Sequence, residues 1–136
     1  MIRDHLRPAI VVTGLAVAAV ACRESVATAP TAVPSTCTPR GTTLELTAVN
    51  IAFDPSVLCA RAGHPFSIAF DNRDAGVPHN VQIFTDRNMS ESVFKGALIS
   101  GVDTVAYSVA ALPPGVYWFR CDVHPSQMVG ALVVAP

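Results

Sequence analysis

The sequence predicts an all-β domain, a Greek-key β-sandwich of about seven to eight strands. Three observations carry that expectation. Several short runs alternate polar and apolar residues, which is the period of a half-buried strand. Eleven prolines and eight glycines punctuate them, which favours many turns over long helices. No stretch repeats its apolar residues at helical spacing for long enough to be a helix. The 136 residues have room for one domain, and 51% of them are apolar, ample for a core.

The first 22 residues stand apart from the fold. Arg3 and Arg7 precede an apolar run, Ala9 to Val20, of the length of a secretory signal core and short of the roughly 20 residues that span a bilayer. The run ends in Ala19-Val20-Ala21-Cys22, which resembles a bacterial lipobox, with Ala19 where leucine is more usual. The resemblance implies that Cys22 is the lipidated first residue of an exported protein, held at a membrane by the lipid alone. An ordinary secretory signal with Cys22 incidental would export the chain equally. Residues 23–40 are mostly Ser, Thr, Ala, Val and Pro without periodicity, and read as a flexible spacer. The domain is expected over residues 41–136.

Within that domain the elements follow in order. Thr43 to Val49 alternates cleanly, and Asn50 to Pro55 reads as a turn. Val57 to Ala60 is a short second strand. Gly63-His64-Pro65 turns the chain into Phe66 to Phe70, another alternation. Asp71 to Pro78 is a polar loop leading into a strand over Asn80 to Thr85. Asp86 to Gly101 is the least regular part, with a short helical turn expected around Ser90 to Phe94. Thr104 to Val109, a Leu112-Pro113-Pro114-Gly115 turn, Val116 to Arg120 and Gly130 to Val134 complete the set.

The residue types narrow the function. Nine basic against ten acidic residues leave a net charge of −1, with no basic stripe to neutralise nucleic-acid phosphates. Of four cysteines, Cys22 belongs to the signal end. Cys37 and Cys59, flanking the first strands, are expected to form a disulfide in an oxidising compartment. That leaves Cys121 unpaired, and metal ligation explains it. Cys121, His124 and Met128 fall on one short loop between apolar runs. Thiolate, imidazole and a weak thioether suit copper in an electron-transfer site. His79, at the start of a strand, offers the second imidazole. His64 in its turn reads as a surface residue, His5 lies in the signal, and Met89 reads as a loop residue.

The segment from Tyr117 through Cys121, His124 and Met128 to Gly130 resembles the copper loop of the cupredoxins, in the plastocyanin, amicyanin and pseudoazurin branch. The segment from Asn72 through Pro78-His79-Asn80-Val81 is similar to that family's first-histidine segment, and Leu112-Pro113-Pro114-Gly115 also fits. The likeness spans residues 42–136. It implies that His79, Cys121 and His124 form a trigonal plane, with Met128 as a long axial ligand. It further implies that the backbone N–H of Asn80 donates to the Cys121 sulfur, and that electrons leave by the His124 edge.

The expected function is therefore one-electron transfer by a single Cu(I)/Cu(II) ion. The carrier would be exported, lipid-anchored and monomeric, in the periplasm or at the cell surface. Its partners would be redox proteins of cytochrome or oxidase type, met transiently. An enzyme of the copper nitrite reductase or multicopper oxidase kind would need more copper ligands and a second domain or trimer interface. A binuclear centre would need a second cysteine between Asp122 and Gln127, where there is none. The main alternative is a periplasmic copper-delivery or copper-resistance protein that holds Cu(I) without cycling. An adhesion-like sandwich without metal leaves Cys121 unexplained.

Overall fold

Alternating burial builds the first strand and sets the plan for the rest. In β1 (Thr43–Val49), Leu44, Leu46 and Ala48 point inward while the residues between them are exposed or half-buried. The computed structural model describes residues 29–30 and 32–136. The expected signal, Cys22 and the first part of the spacer lie outside them. Among the described residues there are eleven strands and no helix.

After β1 come β2 (Ala52–Asp54), β3 (Val57–Arg61), β4 (Phe66–Asn72), β5 (Pro78–His79) and β6 (Gln82–Phe84). They are followed by β7 (Ser92–Lys95), β8 (Ile99–Ser100), β9 (Asp103–Val109), β10 (Gly115–Arg120) and β11 (Val129–Ala135). One sheet runs β2-β1-β4-β9 and the other β3-β11-β10-β6-β7, with β5 and β8 forming a small ladder of their own. The β1–β4 and β3–β11 pairs are parallel and the other strand pairs antiparallel. This is the expected β-sandwich, with more and shorter segments than the sequence suggested.

Two local expectations change. Half of the stretch from Asn50 to Pro55 is strand, Ala52–Asp54, because the reversal takes only two residues. Asn50 and Ile51 both have positive φ, 53° and 56°, as a two-residue hairpin loop matched to strand twist requires. That tight loop frees Phe53 to turn into the core. The helical turn expected around Ser90 to Phe94 is instead β7, an edge strand. It pairs with β6 across a register shift at Ile83/Phe84 and packs Phe94 against the core.

The core lies between the sheets. Ile68, Phe70, Tyr107 and Val109 come from one side, and Ile83, Tyr117, Phe119, Leu132 and Val134 from the other. Phe53 joins them, its ring 6.3 Å from Phe70 and 5.3 Å from Phe119. Gly130 is what lets Phe119 lie flat across β11: a Cβ there would sit 2.2 Å from the ring. On the outer face of the second sheet, Arg87 covers Trp118 and Arg120 covers Phe84, each 4.9 Å from the ring centre. Cys37 and Cys59 are disulfide-bonded, so the segment ahead of β1 is tied to β3.

Candidate metal centre

Two chain segments meet at one end of the sandwich. The first is β5 with the residues leading to β6, and the second is the loop between β10 and β11. That loop is closed by its own backbone. Cys121 N–H donates to Met128 O at 3.0 Å, and the N–H groups of Met128 and Gln127 donate to His124 O at 3.0 and 3.3 Å. The pinch fixes Cys121 and Met128 at the two feet of the loop, both fully buried. His124 at its crown is half-buried, between Val123 and Pro125, which are exposed.

The ligating atoms of His79, Cys121 and His124 lie within 4.8 Å of one another. Nδ1 of His79 is 3.7 Å from Cys121 Sγ, and Nδ1 of His124 is 3.9 Å from it. A first-row ion held trigonally, with bonds of about 2.0 Å to nitrogen and 2.3 Å to sulfur, sets these atoms about 3.7 Å apart. The site therefore has the dimensions of a metal cradle. The two imidazoles are 4.9 Å apart between ring centres and tilted by 57°, so they do not stack on one another. Burial, then the neighbouring His79, lower the pKa of His124, against a smaller opposing pull from Asp74. Lowering favours the neutral imidazole that ligation needs. Two imidazoles, one thiol and a buried thioether close by fit one copper ion on donor chemistry.

Asn80 joins the two segments. Its side-chain Oδ1 accepts the Asp122 N–H at 2.9 Å, and its Nδ2 donates to Asp122 Oδ2 and to Gly96 O, each at 3.0 Å. The cupredoxin resemblance implies a main-chain role for Asn80 toward Cys121; these three bonds are made by its side chain and come in addition to that role. Asp122 is in turn paired with Lys95 at 2.8 Å. Burial alone would raise its pKa, but the bonds from Lys95 and Asn80 hold its carboxyl below the usual range.

The residue that sequence reasoning passed over is Asp74. Its Oδ2 lies 2.9 Å from Nε2 of His79, the ring nitrogen on the far side from Cys121. It also accepts the N–H groups of Asn50 at 2.6 Å and Ile51 at 2.9 Å. Burial works to raise its pKa, and these bonds outweigh it and hold the carboxyl below the usual range. Ligating imidazoles commonly give their second N–H to a carboxylate, but a carboxylate five residues before His79 along a polar loop does not by itself say that the two will meet. His64 sits away from this group, its Nδ1 2.9 Å from Ala62 O.

A family model described as a cupredoxin-like domain matches residues 13–134. Among solved structures, auracyanin A, described as a "blue" copper protein from the green thermophilic photosynthetic bacterium Chloroflexus aurantiacus, is 24% identical. The match covers 68% of this chain and 97% of that one, with a TM-score of 0.62. Auracyanin from Roseiflexus castenholzii is 20% identical over 72% of this chain and 100% of its own, with a TM-score of 0.62. A reduced, Cu(I) amicyanin variant is 25% identical over 71% and 85%, with a TM-score of 0.52. No curated protein sequence matches the chain.

Proposed function

The chain belongs to the cupredoxin-like family, and from that premise we propose that it is a mononuclear blue copper protein that carries single electrons between redox partners. The observation that carries the reading is the convergence of His79 Nδ1, Cys121 Sγ and His124 Nδ1 from two distant segments. Met128, buried at the foot of the same loop, would supply a weak fourth donor through its thioether sulfur. Bound copper supplies the one-electron chemistry, alternating between Cu(II) and Cu(I).

The protein's part is to hold one geometry for both states. His79 and Cys121 are fully buried, and the backbone bonds across the loop and the Asn80–Asp122 pair restrain the segments that bear them. A rigid ligand cage keeps rearrangement small when the charge changes. Burial of Cys121 keeps water from the thiolate. His124 is the ligand nearest solvent, and Val123 beside it is 43% exposed. That edge suits a small, brief encounter with a redox partner rather than a permanent interface. Export and a lipid on Cys22 complete the proposal, resting on the resemblance of Ala19 to Cys22 to a lipobox.

The test is an optical and EPR spectrum of the purified protein after addition of Cu(II). An intense visible thiolate-to-copper band that bleaches reversibly with a mild reductant is the expected result. Binding of Cu(I) alone, with no such band, would transfer the protein to copper delivery or storage.

A further inference from the structure

We propose that Asp74 is a positioning residue of the metal centre, which fixes the tautomer of His79 and lowers the potential of the site by a part-buried negative charge beside the ring. The proposal rests on the copper reading above.

The geometry around Asp74 is overdetermined. Its Oδ1 takes the Asn50 N–H, and its Oδ2 is shared between the Ile51 N–H and Nε2 of His79. The backbone of Asp74 is held as well, since its own N–H donates to Asn72 Oδ1 at 3.1 Å. The fully buried Asn72 amide donates to Val77 O and Ile99 O at 2.9 Å each. Gly101 allows the close approach from the other side, where a Cβ would lie 2.5 Å from Asp74 O.

The β1–β2 loop contributes at a cost to itself. Ile51 is β-branched and sits at φ 56°, a conformation such residues rarely adopt. Strain of this kind persists only where the surroundings impose it. What it achieves here is two consecutive amides aimed at one carboxylate, a small anion-holding concavity.

Two consequences follow for His79. A carboxylate only accepts, so the neutral ring must carry its proton on Nε2, leaving the Nδ1 lone pair toward Cys121. And Asp74 has no lysine or arginine partner among the described residues, whereas Asp122 is paired with Lys95. Its charge is thus uncompensated by any cation except the imidazole and whatever ion that imidazole holds. Such a charge favours the more highly charged state of the ion, Cu(II) over Cu(I).

The experiment compares Asp74→Asn, Asp74→Ala and, as a control, Asp71→Asn. Asp71 is an acidic neighbour on β4 that pairs with Arg73 at 2.6 Å. Two readouts are used: ring-nitrogen NMR of metal-free protein, which reports the His79 tautomer, and redox titration of the copper-loaded protein. Asp74→Asn keeps an acceptor but loses the charge, so it should keep the Nε2–H tautomer and shift the potential upward. Asp74→Ala should lose the single tautomer, shift the potential upward and weaken metal retention about 10- to 100-fold. Asp71→Asn should leave both near wild type.

An unshifted potential in Asp74→Asn overturns the electrostatic role, as does an equal shift in Asp71→Asn. An unchanged tautomer in Asp74→Ala overturns the positioning role. If Asp74→Ala does not fold, the nearly isosteric Asp74→Asn decides through its potential. The metal-free NMR arm stands even if wild type fails to give the thiolate-to-copper band, so failure of the copper reading is seen separately.

Discussion

Each proposed ligand has a separable job at the residue scale, and substitutions should separate them. Cys121→Ser should abolish the thiolate-to-copper band while leaving the fold intact by circular dichroism; a variant that keeps the band would refute Cys121 as the ligand. Met128→Leu should keep the band and raise the potential, since it removes only a weak axial donor; loss of copper there would give Met128 a stronger role. Tyr107 offers a test away from the metal. Its hydroxyl donates to Ala97 O at 2.6 Å. Burial, then the negative charge of Cys121, push its pKa up to about 12. The fold therefore favours the protonated phenol, so its contribution is complete below pH 10 and is lost as pH rises toward 12. Urea midpoints of the metal-free protein at pH 8, 10 and 11 should fall more steeply for wild type than for Tyr107→Phe. The variant should also be less stable at pH 8 by about 1 kcal/mol for the lost hydrogen bond. The candidate ligands were legible because cysteine, histidine and methionine are chemically rare and closely spaced. Asp74 was not, because its meaning depends on Asn50 and Ile51, more than 20 residues away.

The element scale shows why local pattern serves some strands and not others. β1, β4 and β9 are seven residues each, long enough for alternation to declare itself. β2 has three residues, and its neighbours Asn50 and Pro55 carry turn chemistry, so the sequence reads as one long turn. Only the partner strand settles it, through Ala48↔Phe53 and Val49↔Ala52. β7 is similarly short, and Phe94 becomes a strand residue by pairing with Ile83 rather than by propensity. The two-residue loop between β1 and β2 makes a prediction of its own. Ile51→Gly relieves a β-branched residue at positive φ while keeping the N–H that Asp74 accepts. It should stabilise the protein by about 1 kcal/mol, less the entropy glycine adds to the unfolded chain. Thermal unfolding checks the gain, and the redox potential should stay put. A lower melting temperature would mean that the half-exposed Ile51 side chain packs more than its 38% exposure suggests.

Across the whole molecule, the sandwich keeps the candidate metal site and the disulfide apart. The loop that bears Cys121, His124 and Met128 opens from β10 and closes into β11 at Val129. Cys59 pairs with Val133, further along the same strand, so roughly 13 Å of strand separates that register from the loop's foot. The disulfide fixes the segment ahead of β1 onto β3, with Cys37 Sγ 3.5 Å from Val133 O. The separate roles of the cysteines were readable from the sequence in outline, since Cys37 and Cys59 flank the first strands and Cys121 sits between aromatic and apolar runs. The parallel pairing of β3 with β11, which brings the disulfide against the last strand, was not, because nothing local records which distant strand a segment will join. The arrangement predicts that stability and metal chemistry can be uncoupled. Closing a loop with a sequence separation of 22 stabilises by about 3 kcal/mol through the unfolded chain. The double substitution Cys37→Ser with Cys59→Ser should therefore shift the denaturant midpoint down by that amount. At temperatures where the variant stays folded, its visible spectrum and potential should match wild type. A changed spectrum in the folded variant would mean that the disulfide end holds the Cys121–Met128 loop in place, and that the sandwich is less rigid between its ends than its shared core implies.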